Sequence, residues 1–140
     1  MTADQRISLA TSAQVPPPRA ETVRGEWYAD GWTSPFLCLV FPEVPASHTR
    51  LHLRAFRPAV SPDFALRQDI VVRSGAEFLT EFTFSRLTSQ VLTLSIPLPP
   101  RDSTGPLPIS LRVSRPLIPV LPDKRSLGVV LLDLYPVCHD

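Results

Sequence analysis

Aromatic and charged residues are concentrated in one short stretch near the start of the sequence. Trp27, Tyr28 and Trp32 lie within a few positions of Asp30. Sugar rings present an apolar C–H face that stacks on aromatic side chains, and their hydroxyl groups need planar polar partners such as carboxylate or guanidinium groups. This stretch therefore indicates carbohydrate binding, and Arg125, in a turn near the C-terminus, is a further candidate for contacting the ligand.

The aromatic residues also have a structural interpretation. Neighbours in a strand point to opposite faces, so Trp27 and Tyr28 cannot both line one surface. We expect one of them to lie in the core, and Trp27 is the favoured one. The pair Asp30-Gly31 predicts a turn, and whether Trp32 is exposed beside that turn stays open.

Arg125 lies in a turn, between Asp123 and Gly128. A structural role is favoured, in which Arg125 pairs with a carboxylate such as Asp30 or Glu26 and so joins the first and last strands. Asp123 can accept backbone N–H bonds in the turn, and Gly128 permits a bulge or a close backbone approach. In the alternative role, Arg125 faces a hydroxyl or carboxylate group of a ligand.

Catalytic and metal-binding patterns are missing from the sequence. It contains no Gly-x-Ser-x-Gly, no His-Glu-x-x-His and no glycine-rich phosphate loop. His48 and His52 share a direction only if their strand extends that far, and the scattered aspartates do not form a calcium loop. We therefore expect a protein that is not an enzyme and has neither a cofactor nor a metal site.

Composition favours a β-rich domain that is nearly neutral overall. The chain has 140 residues, enough for one domain with a core of its own, and its 17 prolines are too many for a helical protein. The formal net charge is +1, so no overall electrostatic field attracts nucleic acid. Arginine supplies every basic residue except Lys124, a bias that favours planar contacts to carboxylates or ligand hydroxyls.

Cellular location is inferred from the cysteines and from the hydropathy pattern. Cys38 lies in an apolar run and Cys138 near the C-terminus, a spacing that leaves a disulfide between them open but does not support one. The first residues lack the apolar core of a signal peptide, and no stretch is long enough to span a bilayer. We expect a cytoplasmic protein.

Short apolar segments separated by proline-bearing turns predict the fold. Several alternate between apolar and polar residues, as strands with one buried face do. The predicted strands are residues 23–29, 36–41, 50–56, 64–73, 77–84, 90–98, 107–114 and 126–135. About eight strands without a helical pattern indicate an all-β fold, an antiparallel two-sheet β-sandwich of jelly-roll-like form.

The domain boundaries follow from the same pattern. Residues 1–21 form a Pro-rich leader, residues 22–137 the sandwich, and residues 138–140 a tail. The last strand, residues 126–135, is apolar on both sides, so we place it centrally in a sheet, beside the strand that holds Trp27.

Two segments together carry a resemblance to a known group of domains. These are Gly25-Glu-Trp-Tyr28, followed by Trp32 and Pro35, and the late turn Asp123-Lys-Arg-Ser-Leu-Gly-Val129. The combination resembles the galactose-binding-like β-sandwich accessory domains found beside bacterial glycosyltransferases and related polysaccharide-biosynthesis enzymes. The resemblance covers roughly residues 23–134, and no enzyme domain accompanies it here. It implies a non-catalytic domain that binds carbohydrate or packs on a neighbouring enzyme.

Two functions from different classes follow. The first is a non-catalytic carbohydrate-binding or accessory module linked to bacterial surface-polysaccharide biosynthesis, with a carbohydrate or a glycosyltransferase-type enzyme as partner. The second is a protein-interaction or structural sandwich whose exposed apolar residues, such as Phe56, dock on a partner enzyme or on a second copy of the chain. An exposed Trp32 beside Asp30 and an arginine favours the first, and a flat apolar sheet face favours the second.

Overall fold

The chain forms β-strands throughout the part that is described. The computed structural model describes residues 20–58, 67–85, 89–115 and 125–138, and within these ranges it contains no helix. The strands are β1 (Glu21–Arg24), β2 (Phe36–Val44), β3 (Arg50–Arg57), β4 (Gln68–Ser74), β5 (Glu77–Phe84), β6 (Gln90–Pro97), β7 (Gly105–Val113) and β8 (Val130–Val137). The all-β prediction, with about eight strands, is confirmed.

The strands form two antiparallel sheets that pack against each other. The larger has the order β1-β2-β7-β4-β5 and the smaller the order β6-β3-β8. The chain changes sheet at every connection except β1 to β2 and β4 to β5. This alternation, which places β7 beside β2 and β8 beside β3, is that of a jelly roll. The predicted two-sheet sandwich is therefore confirmed.

The core lies between the sheets and is built from alternating positions. In β3, Leu51, Leu53 and Ala55 are buried, while the intervening side chains point away from the core. Strand β7 buries every second residue, namely Leu107, Ile109, Leu111 and Val113. Each such aliphatic side chain contributes roughly 1.5–3 kcal/mol when it leaves water, so the period-two pattern determines which side of each strand is buried.

The predicted first strand is shorter than expected. Strand β1 ends at Arg24 because Gly25 adopts a φ of +74°, which residues with a Cβ avoid. A Cβ at this position would also collide with the carbonyl oxygen of Phe36. Trp27 therefore lies beyond β1, in an isolated antiparallel bridge with Thr33.

The prediction of a central last strand is wrong. Strand β8 lies at an edge of the smaller sheet, with β3 as its one neighbouring strand there. Its first residues are nevertheless buried, because Trp32 forms a bridge with Val130 and the segment around it acts as a short fourth strand. A brief pairing with the stretch next to Trp27 thus covers the start of β8.

Other predictions concern the chain ends and the cysteines. Strand β1 begins at Glu21, and residues 1–19 of the predicted leader and 139–140 of the predicted tail lie outside the described residues. Cys38 is half-buried and Cys138 exposed, and both are free thiols.

Among the residues described, none belongs to a helix long and apolar enough to cross a membrane.

Candidate functional site

The candidate binding residues lie on a tight β-hairpin formed by residues 26–34, here called the aromatic hairpin. Its arms are joined by bonds from Ser34 N to Glu26 O (2.9 Å) and from Tyr28 N to Trp32 O (2.8 Å). The tip is closed by a bond from Gly31 N to Tyr28 O (2.9 Å), and Gly31 has a φ of +97°. A three-residue loop that ends in a left-handed glycine produces this geometry.

Asp30 fixes the tip of the aromatic hairpin. Its Oδ1 accepts a bond from the backbone N–H of Trp32 (3.2 Å), as an aspartate in a turn commonly does. The carboxylate also pairs with Arg125 through two contacts, Nη2 to Oδ2 at 3.0 Å and Nη1 to Oδ1 at 3.4 Å. The predicted pairing of Arg125 with Asp30 is therefore confirmed, and it links the hairpin to the segment that precedes β8.

Arg125 is held from a second side by an aromatic ring. Its guanidinium carbon lies 4.6 Å from the centre of the Tyr28 ring, within the range of a cation–π contact. The hydrogen bond from Arg125 lowers the pKa of the Asp30 carboxyl, and desolvation opposes that effect. Tyr28, Asp30 and Arg125 thus form one cluster, in which Arg125 covers one face of the tyrosine ring.

The aromatic hairpin has an inner and an outer side. Trp27 and Thr33 form a bridged pair, and Trp27 is half-buried against the hydrophobic core while Thr33 is fully buried. Because successive residues alternate, Tyr28 and Trp32 lie on the opposite, outer side. The favoured placement of Trp27 in the core is therefore supported. Trp32 is half-buried.

Backbone bonds anchor the hairpin to the start of β8. Gly128 N donates to Thr33 O (2.7 Å), Thr33 N donates to Val129 O (2.8 Å), and Leu131 N donates to Gly31 O (2.8 Å). A Cβ on Gly128 would lie 2.7 Å from the carbonyl oxygen of Ser34 and 2.8 Å from Thr33 Oγ1. The predicted close approach at Gly128 is confirmed.

Two buried polar side chains support this anchor and were missed as site residues. Thr33 Oγ1 accepts a bond from Val129 N (3.3 Å). Gln68 Nε2 donates to the carbonyl oxygens of Gly128 (3.3 Å) and Arg115. Gln68 occupies a core position in β4, and a polar residue in an otherwise apolar face was the available sequence signal. Asp123, which was predicted to stabilise this turn, lies outside the described residues.

The outer side of the hairpin continues onto the smaller sheet. Opposed residues in an antiparallel pair point to the same face, so Trp32, its partner Val130 and the next residue across, Phe56, share one side. We call this side, which faces away from the larger sheet, the outer face. Phe56 is half-buried there.

Beyond Phe56, the outer face carries polar and aromatic side chains that sequence reasoning did not assign to a site. Arg54 Nε lies 3.0 Å from Asp133 Oδ2, and His52 Nε2 lies 4.0 Å from the same oxygen. The rings of His52 and Tyr135 have centroids 4.8 Å apart. The alternation of β3 predicted the exposure of Arg54 and His52, but their partners on β8 depend on register.

Metal binding has no support in the described part of the chain. No group of three or more His, Cys, Asp or Glu residues is arranged there to hold an ion. His48 precedes β3 and so does not share a strand with His52, while His139 lies outside the described residues.

Comparisons of the chain with protein-family models, with curated proteins and with solved structures found no match. The resemblance to accessory domains beside glycosyltransferases therefore stays a prediction, based on the two segments of this sequence that carry it.

Proposed function

We propose that this protein is a non-catalytic carbohydrate-binding module that acts in the cytoplasm as an accessory to a glycosyltransferase-type enzyme of surface-polysaccharide biosynthesis. The observation that carries the proposal is the cluster on the outer side of the aromatic hairpin. There, the Asp30 carboxylate accepts a bond from the backbone N–H of Trp32 and pairs with Arg125, which is stacked on Tyr28. The side chains of Tyr28 and Trp32 lie on the same side of the hairpin. An aromatic ring next to fixed planar polar groups is the combination that sugar recognition requires.

The four residues have different roles in this proposal. Trp32 supplies the aromatic surface for the C–H face of a sugar. Asp30, whose side chain is 52% exposed, accepts bonds from sugar hydroxyl groups. Tyr28 positions Arg125 through the cation–π contact, so it supports the site more than it stacks on the ligand. Trp27 lies on the core side and serves the fold.

The test is a fluorescence titration with a panel of bacterial polysaccharide fragments, both neutral and acidic. The sequence has 2 tryptophans, so Trp27→Phe leaves Trp32 as the single reporter. We expect a saturable shift in the wild type and in Trp27→Phe, and no saturable binding by calorimetry in Trp32→Leu. Phe78→Leu is the matched control, because it also replaces an aromatic residue by leucine, at an exposed position on the larger sheet. This variant should bind as the wild type does.

Absence of a shift with every glycan, from protein that melts cooperatively, would reject carbohydrate binding. Equal binding by Trp32→Leu and the wild type would place the sugar elsewhere.

A second candidate function is docking on a protein partner or on a second copy of the chain. It is favoured by exposed apolar side chains on both edge strands of the larger sheet, Val23 (58%) on β1 and Phe78 (54%) on β5. Phe56, the residue suggested from sequence, is half-buried and less suited to this role.

Sedimentation equilibrium tests self-association. A monomer at all concentrations would exclude the homo-oligomer, and a dimer lost in Phe78→Ser would support it.

A further inference from the structure

The two sheets differ in the charges that their strands carry. The strands of the larger sheet hold five acidic residues and three arginines. In β3, β6 and β8, which the structure describes in full, Asp133 is the one acidic residue. On the outer face, β3 carries Arg50, His52 and Arg54 at alternate positions, and Arg54 is the residue opposite Asp133. The outer face therefore has a local excess of positive charge, although the whole chain is nearly neutral.

Contacts with neighbouring strands hold the two outer arginines in place. Arg50 donates from Nε to Ser95 Oγ (2.6 Å) and from Nη2 to Ser95 O (2.9 Å). Arg54 pairs with Asp133 on the other side. Ser95 is uncharged, so its bonds orient the guanidinium of Arg50 without neutralising it. These two bonds use two of its five N–H groups, and the planar fork can still bind a carboxylate of a ligand.

The spacing of these groups suits an extended ligand. Residues two apart on a strand are separated by roughly 7 Å, so Arg50, His52 and Arg54 form a row about 13 Å long. The rings of His52 and Tyr135, tilted by 36° to each other, lie at the middle of the row. At its far end the row passes Phe56 and leads to Trp32, which shares this face. Cationic and aromatic groups thus share the outer face along β3, and Trp32 lies to the side of Phe56, across Val130.

We propose that the outer face binds an acidic polysaccharide, one with carboxylate groups on its sugars, which lies along β3 from Arg50 towards Trp32. This inference rests on the proposed function, since it names the class of carbohydrate and extends the site. Arg50 binds a uronate carboxylate, and the serine and threonine hydroxyls of β6 meet the sugar hydroxyls. Nucleic acid is the less suitable polyanion, because a net charge of +1 gives little of the nonspecific attraction that phosphate backbones require.

The test is calorimetric titration of the full chain with hexagalacturonate, with maltohexaose as the neutral probe of equal length. We expect saturable binding of hexagalacturonate that weakens as salt rises. Arg50→Gln should raise its Kd about tenfold, as expected for the loss of a charge-assisted contact. Arg73→Gln is the matched control, because Arg73 is an exposed strand arginine on the larger sheet, and it should leave the Kd within twofold.

The outcomes separate this inference from the proposed function. If a neutral glycan binds and loses affinity only in Trp32→Leu, while hexagalacturonate fails to bind, the acidic class is overturned and the module survives. If Arg50→Gln and Arg73→Gln weaken binding equally, attraction is nonspecific and the outer-face site is overturned. If single-stranded oligothymidylate binds more tightly than hexagalacturonate and depends on Arg50, the ligand is a nucleic acid and the inference fails.

Discussion

The two sides of the aromatic hairpin differ in what surrounds their polar groups. On the inner side, Thr33 and its bonds to Gly128 and Val129 are enclosed by the core. On the outer side, Asp30 and Arg125 bind each other in contact with solvent. Breaking a buried hydrogen bond incurs the desolvation penalty of the partner left behind, whereas water replaces an exposed partner. The comparison indicates that the inner side stabilises the fold and that the polar groups of the outer side are open to solvent.

The largest effect is expected for Gly128→Ala on the inner side. The new Cβ would approach the Ser34 carbonyl and Thr33 Oγ1 within 3 Å, so the hairpin and β8 must separate. We expect the free energy of unfolding to fall by about 2–3 kcal/mol in calorimetry. Gly105→Ala is the control, because a Cβ there meets nothing within 4 Å and should change stability by less than about 0.5 kcal/mol. Equal stability of the two variants would show that the inner side is not tightly packed.

Thr33→Val should have the next largest effect. Valine keeps the shape of threonine but removes the oxygen that accepts the bond from Val129 N, which leaves a buried donor without this partner. We expect a loss of about 1–2 kcal/mol in denaturant unfolding. Thr22→Val on exposed β1 tests the same chemical change at the surface, where little effect is expected. A loss of the same size in both variants would contradict the role of burial.

Tyr28→Leu tests the outer side. Leucine removes the ring that lies under Arg125, so we expect a loss of about 0.5 kcal/mol, whereas Tyr28→Phe keeps the ring and should be neutral. Double-mutant analysis with Arg125→Met measures the contact itself. If Tyr28→Phe is as destabilising as Tyr28→Leu, the hydroxyl group and not the ring is what matters.

Asp30→Asn should have the smallest effect on stability, because the ion pair is exposed to solvent and screened. The size of the effect depends on pH. Arg125 lowers the pKa of Asp30 in the folded state, so the carboxylate stabilises the fold above the unfolded pKa of about 3.9, and this is lost as pH falls through the folded value. Thermal melts should therefore show the wild type and Asp30→Asn converging as pH falls below about 4, where the Asp30 carboxyl becomes protonated. A constant difference across that range would contradict the pairing.

The fold and part of the candidate site were predictable from local pattern. Alternation in β3 and β7 identified the buried side chains, because a strand exposes its two faces with a period of two. The pairing of Arg125 with Asp30 was predicted as one of two alternatives, and complementary charge favoured it. The position of β8 was not predictable, since an apolar strand can be covered by a neighbouring strand or, as here, by a short hairpin segment.

The sequence by itself determined the fold class, the buried faces of most strands, the turn at Gly31 and the close backbone approach at Gly128. These depend on interactions between residues near one another in the chain, or on steric limits of single residues. The tertiary structure alone decided which strands became neighbours. Register placed Asp133 beside Arg54 and Tyr135 beside His52 across two distant segments, and it aligned Trp32 with the same face. Such pairings depend on long-range strand order, which local residue patterns do not encode.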